Sequence, residues 1–173
     1  MINRRYVFMA LFIGIALLMV FPIQTQALKK VSIVNDGGLE SWYSSSDLVY
    51  WSESSSTSRC TDAFEGDYSA NITTAGQIFQ TYSGQPSEYW VLKVKSKSLS
   101  PDSTMKLRLH IYTEGGGGGG SEIFTLTTSW QSYTFGYTGK IIRVNIWIND
   151  SIYGYGSGAV DAVDVYYFEG VEP

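Results

Sequence analysis

Two stretches of the chain, 105–112 and 142–149, alternate aliphatic residues with polar and aromatic ones. The polar and aromatic residues include six candidates for ligand binding: Arg108, His110, Tyr112, Arg143, Asn145 and Trp147. Successive side chains of a strand point to opposite faces, so each set occupies one face. Aromatic rings beside hydrogen-bonding groups can stack on a sugar ring and fix its orientation. If the two strands share a sheet, the six residues form a shallow groove for sugar; alternatively, another layer covers Trp147 as an ordinary core residue.

Enzyme signatures are missing from the sequence. It contains no His-Glu-x-x-His, no Gly-x-Ser-x-Gly and no Cys/His cluster, since Cys60 and His110 are the single residues of their types. A catalytic pair of carboxylates is defined by three-dimensional spacing, which sequence does not give. Few acidic residues lie outside predicted turns, however. We therefore predict a protein that binds rather than catalyses.

A run of six glycines, Gly115–Gly120, separates two predicted strands. It lacks the Gly-Lys-Ser/Thr ending of a phosphate-binding loop, and no helical pattern follows it. Gly-rich segments behave as flexible connections, which favours a hairpin link. A mobile lid over a ligand-binding face is the alternative.

The elements that must position these residues are strands. Alternation with a period of two recurs along the chain, whereas no stretch after residue 27 keeps helical spacing for three turns. Besides the two stretches above, strands are predicted at Val31–Val34, Leu48–Ser52, Ser69–Thr73, Ile78–Tyr82, Trp90–Lys95, Ile123–Thr128, Tyr133–Tyr137 and Ala159–Phe168. Turn signals separate them, as in Glu65-Gly66-Asp67. The pattern predicts an all-β fold, an antiparallel two-sheet sandwich or jelly roll.

The first 27 residues have the organisation of a secretory signal peptide. Arg4 and Arg5 precede an apolar run that ends at Pro22, and Thr25-Gln26-Ala27 resembles a cleavage site. The run is short for a spanning helix, which needs roughly 20 residues, so a retained membrane anchor is the less favoured alternative. Either way, residues 28–173 are predicted to form a single domain that is secreted or at the cell surface.

The charge of the chain argues against a nucleic-acid partner. The sequence has 12 Lys+Arg against 16 Asp+Glu, a formal net charge of −4. The predicted signal peptide contains two arginines and no carboxylate, so the remainder is more acidic still. Such a chain does not neutralise phosphates well.

Several short motifs resemble the jelly-roll carbohydrate-binding modules with the galactose-binding-like fold. The segment 35–40 (NDGGLE) is similar to their opening motif, and Trp51 to the tryptophan that follows it. Further similar motifs occur in the same order at 61–70 (TDAFEGDYSA), 89–92 (YWVL), 129–131 (SWQ) and 160–165 (VDAVDV). This chain departs from the pattern at Leu39, usually aromatic, and at Ala162, commonly acidic or amide. The resemblance spans nearly all of residues 28–173.

The resemblance implies a metal site and a set of packing positions. It implies that Glu40 and Asp161 are side-chain ligands of a structural calcium ion, helped by carbonyls of the 65–67 turn; otherwise they are ordinary surface carboxylates. It also implies that Trp51, Trp90 and Trp130 occupy core positions.

Two hypotheses about function follow. The first is an extracellular, non-catalytic module that binds carbohydrate or glycan. The second is a structural or adhesive surface or virion protein that uses its jelly roll for assembly, because one fold serves many roles. The second predicts an exposed apolar patch or an unpaired strand edge, and a strict monomer in size-exclusion chromatography contradicts it.

Overall fold

A computed structural model describes residues 28–54, 56–73, 75–100, 105–115, 118–148 and 156–170. Lys30–Glu169 forms one compact unit, and residues 28, 29 and 170 are assigned to a separate unit. The predicted signal peptide lies outside the described residues, and so do residues 149–155, which include Asn149. Among the residues described, no helix has the length and apolarity needed to cross a membrane. The boundaries of the single predicted domain, 28–173, stay a prediction.

All regular structure in the described ranges is β-strand. The strands are β1 (Leu28–Ser32), β2 (Ser52–Glu53), β3 (Thr57–Cys60), β4 (Ser69–Thr73), β5 (Gly76–Thr81), β6 (Ser87–Ser98), β7 (Lys106–Thr113), β8 (Gly120–Thr125), β9 (Gln131–Ile148) and β10 (Ser157–Gly170). The strand pairs whose registers are described are antiparallel.

These strands form two sheets that share β9. The first sheet has the order β3-β4-β10-β6-β9, with β1 beside β10; the second has the order β2-β5-β9-β7-β8. The part of β9 from Gln131 to Lys140 pairs with β6, and the part from Arg143 to Ile148 pairs with β5 and β7. One long strand thereby crosses from one sheet to the other, and the prediction of an antiparallel two-sheet sandwich is confirmed.

The core lies between the inner faces of the two sheets. β7 contributes Leu107, Leu109 and Ile111, and β6 contributes Trp90, Leu92 and Val94, all fully buried. Their neighbours in sequence point away from the core, as the period of a strand requires. The predicted alternation in β7 is therefore confirmed.

Two predicted core positions are wrong. Ile142 is exposed, and Ile141 is buried in its place, because the ladder between β7 and β9 slips between Tyr112 and Thr113. Trp130 is only half-buried and lies outside the core, with its ring against the exposed ring of Phe64. Trp51 and Trp90 are buried as predicted.

Candidate functional site

The structure brings the six predicted site residues together. In the pairing of β7 with β9, Arg108 lies opposite Trp147, His110 opposite Asn145, and Tyr112 opposite Arg143. Residues opposite each other in an antiparallel pair share a face of the sheet. Here it is the face of the second sheet that points away from the core, because the alternating residues of both strands are the buried aliphatic ones.

Flat side chains lie close together across this surface. The rings of His110 and Tyr112 stack almost in parallel, with centroids 3.9 Å apart and an angle of 6°. The ring of Trp147 is 5.9 Å from that of His110. The Arg143 guanidinium lies 4.2 Å from the centre of the Tyr112 ring, which is cation–π geometry. These contacts fix the orientation of the rings before any ligand binds.

β5 adds two residues that the sequence did not indicate. Gln77 pairs with Trp147, and Phe79 pairs with Asn145. The Arg143 guanidinium lies 5.3 Å from the Phe79 ring, so it contacts rings on both neighbouring strands. The sequence predicted a strand at Ile78–Tyr82, but not that this strand lies beside β9. We call this surface the Trp147 face; it comprises Gln77, Phe79, Arg108, His110, Tyr112, Arg143, Asn145 and Trp147.

Asn145 is more deeply buried than we expected of a residue in the predicted shallow groove. Its side chain is 1% exposed, because it lies between residues of β5 and β7. Its Nδ2 donates a hydrogen bond of 2.6 Å to Gln77 Oε1. Its Oδ1 is buried and has no hydrogen-bond partner among the described residues. A buried acceptor without a partner is costly. Because this oxygen is closed off from solvent, a ligand hydroxyl reaches it only if neighbouring side chains move.

The other residues of the Trp147 face are half-buried. This holds for Trp147 itself, which is neither covered as a core residue nor fully exposed. Part of Trp147 is therefore accessible to solvent. Whether the six predicted residues bind a ligand stays a prediction.

The glycine-rich segment joins β7 to β8 and contacts this face. The His110 Nε2 lies 2.9 Å from the Gly118 carbonyl oxygen, so a neutral imidazole with its proton on Nε2 donates to that carbonyl. Residues 116 and 117 lie outside the described residues. The hairpin connection is thus present, and the lid function stays a hypothesis.

The two predicted metal ligands, Asp161 and Glu40, accept hydrogen bonds from opposite ends of one turn, residues 64–68. Asp161 Oδ2 accepts backbone N–H bonds from Phe64 (2.7 Å) and Glu65 (3.1 Å). Glu40 Oε1 accepts N–H bonds from Asp67 (3.0 Å) and Tyr68 (3.1 Å). Both carboxylates therefore stabilise the turn directly.

Asp161 is not an ordinary surface carboxylate, which was the alternative to a metal ligand. It is fully buried. Desolvation by burial raises the pKa of its carboxyl, and the N–H bonds from Glu65, Ala162 and Phe64 oppose that effect.

The donor set fits calcium in its chemistry, because calcium prefers carboxylate and carbonyl oxygens. Among the described residues, Glu40 Oε2 takes part in no hydrogen bond, so coordination of a cation by this oxygen would break none. No group of three or more His, Cys, Asp or Glu side chains suited to a metal occurs in the described part of the chain. Backbone carbonyls would have to complete the shell, and calcium stays a prediction.

Comparison with known proteins places the fold. No protein-family model matches the chain, and no curated protein matches it. Solved structures do. The chain is similar to TmCBM61 in complex with β-1,4-galactotriose, with a TM-score of 0.60 and 15% identity over 79% of this chain and 99% of that one.

A second similar structure is the CBM22-1 xylan-binding domain from Paenibacillus barcinonensis Xyn10C. Its TM-score is 0.56 at 10% identity, over 87% of this chain and 100% of that one. The fold is the jelly roll of carbohydrate-binding modules. The predicted resemblance is thereby confirmed at the level of fold.

An enzyme shares the same architecture. A cyclase from Fischerella sp. TAU matches with a TM-score of 0.63 and 14% identity, over 84% of this chain and 100% of that one. At such identities the likeness concerns the fold alone, so function has to be argued from the site.

Proposed function

We propose that this chain is an extracellular, non-catalytic carbohydrate-binding module, and that the Trp147 face is its ligand-binding surface. The observation that carries the proposal is the grouping of the Trp147, His110 and Tyr112 rings with the Arg143 guanidinium on the outer face of the second sheet. Rings stack on the apolar faces of sugars, and polar groups beside the rings fix the orientation of the sugar.

The two arginines strengthen the proposal. Arg143 lies between the rings of Phe79 and Tyr112, and Arg108 lies 5.9 Å from the centre of the Trp147 ring. A guanidinium presents several N–H donors in a fixed plane. Sugar hydroxyl and ring oxygens can accept from those donors while a neighbouring ring supports the sugar from below.

The composition of the face supports binding without catalysis. Glycoside hydrolysis usually requires two carboxyl groups on either side of the scissile bond. None of the eight residues that define the Trp147 face is Asp or Glu. The proposal of an extracellular location rests on the signal-peptide pattern of residues 1–27, and the proposal that nucleic acid is not a partner rests on the acidic charge.

The structural neighbours suggest which ligands to test. One is described with β-1,4-galactotriose, a second as xylan-binding, and a third, a family 11 module from Clostridium thermocellum, with a β-1,3-1,4-mixed-linked tetrasaccharide. Galactan, xylan and mixed-linkage glucan therefore form a rational first panel of neutral polysaccharides for this chain.

Replacing Trp147 with Ala tests the proposal. Burial of a large apolar side chain contributes about 1.5–3 kcal/mol, so loss of the ring should weaken binding by about tenfold or more. The measurement is retardation of the purified protein in native gels containing each polysaccharide. Trp130→Ala is the matched control, because Trp130 is also half-buried but lies against Phe64 at the first sheet.

The expected result is loss of retardation in Trp147→Ala, with Trp130→Ala unchanged and both variants folded by circular dichroism. Unchanged retardation of a folded Trp147→Ala protein rejects the Trp147 face as the binding surface.

A further inference from the structure

The first sheet carries a second polar surface on the opposite side of the sandwich from the Trp147 face. An open cleft of about 380 Å³ lies there, lined in part by Phe64, Glu65, Lys93, Lys95 and Asp164. The two lysines belong to β6 and alternate with buried Leu92 and Val94, so they point away from the core.

A bulge in β10 shapes one wall of this cleft. The ladder between β10 and β6 shifts between Asp161 and Asp164, and Ala162 has a φ of +47°. A positive φ is costly for alanine and persists only where the surroundings hold it. The Val163 N–H donates to the Gly37 carbonyl at 2.7 Å, which anchors the bulge. Bulges of this kind re-aim side chains and occur often beside functional sites.

The cleft has amines that are not neutralised by the protein. The Asp164 carboxylate binds Lys30 Nζ and accepts a 2.7 Å hydrogen bond from Ser32 Oγ. Among the described residues, neither Lys93 nor Lys95 forms an ion pair. Glu65 is the other carboxylate of the lining; it is exposed and forms no described ion pair.

Aromatic rings adjoin these amines. Phe64 is 44% exposed, and its ring meets the Trp130 ring edge-on with centroids 6.1 Å apart. Lys95 Nζ lies 4.4 Å from the Phe64 ring centre, and Lys97 Nζ lies 5.2 Å from the Trp130 ring centre. Lys97 also forms an ion pair with Asp62. The exposed Phe64 ring beside the Lys95 amine therefore provides a stacking surface for a sugar and a counter-charge for an acidic substituent.

We propose that this cleft is a second binding site, for a sugar that carries a carboxylate or a sulfate group. Phe64 contacts the sugar ring, while Lys93 and Lys95 bind the anion. The net charge of the chain is negative, so a polyanion gains nothing from diffuse attraction and must be held by local groups. The proposal uses none of the residues of the Trp147 face and stands whether or not that face binds sugar.

The test uses full-length protein carrying Trp147→Ala, so that the Trp147 ring does not contribute, and the lysine variants described below separate the cleft from the arginines that remain on the Trp147 face. Polygalacturonate supplies carboxylates, dextran sulfate supplies sulfates, and neutral dextran is the control polymer. We expect retardation by at least one of the two polyanions and none by dextran. The polymer that retards identifies the anion that the cleft accepts.

Variants added to Trp147→Ala locate the site. Lys93→Gln with Lys95→Gln should weaken the interaction at least tenfold, and Phe64→Ala should weaken it without changing the charge. The control is Lys106→Gln with Lys140→Gln, which removes the same charge from other strands and should have an effect of less than twofold. All variants are first checked for an unchanged thermal unfolding midpoint.

Three results would overturn the second site. The first is that neither polyanion retards the protein. The second is that Lys106→Gln with Lys140→Gln weakens binding as much as Lys93→Gln with Lys95→Gln. The third is that Phe64→Ala retains full binding. None of them bears on the neutral polysaccharides, for which Trp147→Ala in an otherwise unchanged chain is the separate test.

Discussion

Single residues decide how the turn between β3 and β4 is held. Gly66 has a φ of +69°, and a Cβ placed on it would lie 2.1 Å from Glu40 Oε1. The carboxylate occupies the space that the missing side chain leaves, and from there it accepts the N–H groups of Asp67 and Tyr68. The glycine is therefore needed to leave space for the Glu40 carboxylate, and not only to allow the positive φ of the turn.

Gly66→Ala should destabilise the protein more than Gly84→Ala. Both glycines have a φ of +69°, but a Cβ added to Gly84 would meet no atom within 4 Å. Each substitution costs about 1–2 kcal/mol for the left-handed backbone, and Gly66→Ala also displaces Glu40. The free energy of unfolding, measured by urea titration, should fall further in Gly66→Ala by at least about 1 kcal/mol, the value of a hydrogen bond. Equal losses would show that Glu40 does not hold the turn.

At the scale of single residues, the sequence fails to predict what depends on the neighbouring strands. Alternation placed Arg108, His110, Tyr112, Arg143, Asn145 and Trp147 on one face, because strand period is a local property. It did not indicate Gln77 and Phe79, since their place beside β9 depends on strand order. For the same reason the burial of Asn145 between β5 and β7 was not foreseen.

At the scale of elements, β9 is the strand that joins the sandwich. Its first half pairs with β6 and its second half with β5 and β7, and Gly139 with a φ of +146° lies near the change of sheet. The sequence predicted two strands here, Tyr133–Tyr137 and the stretch 142–149. Nothing in the pattern of single residues shows that the backbone continues between them.

The slip beside Thr113 sets which isoleucine enters the core. Ile141 is 1% exposed and Ile142 is 37% exposed. Ile141→Ala should lower the free energy of unfolding by about 2–5 kcal/mol, whereas Ile142→Ala should change it by about 0.5 kcal/mol or less. Chemical denaturation of both variants measures the difference. The reverse order would mean that the register of β9 is wrong.

Two further errors in the predicted strands concern short strands at the edges of the sheets. Leu48–Ser52 was predicted as a strand, but only an isolated bridge between Trp42 and Leu48 and the two-residue β2 form there. β3, Thr57–Cys60, was missed because it has no apolar alternation. Ser69–Thr73 was predicted with its observed limits. A strand with one buried face shows apolar alternation in the sequence and can be predicted from it, whereas a short edge strand without that alternation cannot.

At the scale of the whole molecule, the two proposed ligand surfaces differ in the cations that contact their rings. Arginines stacked on rings mark the Trp147 face, and lysines mark the cleft of the first sheet. The inner faces supply the stability, which leaves both outer faces available for ligands.

Calcium is predicted to act on the stability of the whole domain. An ion bound by Glu40 and Asp161 would connect the segment between β1 and β2 to β10, so it should favour the folded state. At a hundredfold excess over its dissociation constant it would add about 2.7 kcal/mol, or roughly 5–10 °C in Tm. Thermal unfolding in calcium and in EDTA measures this shift, with Glu40→Gln as the variant that should not respond. Identical melting curves for the unchanged protein in both buffers reject the calcium site.

The most direct test of the Trp147 face as the sugar-binding surface follows the five tryptophan indole N–H signals by NMR while a retarding neutral oligosaccharide is added. We expect the Trp147 signal to shift and saturate, while the signals of buried Trp51 and Trp90 and of Trp130 stay in place. A saturating shift confined to Trp130 or Trp42, with Trp147 unmoved, would contradict this assignment of the binding surface.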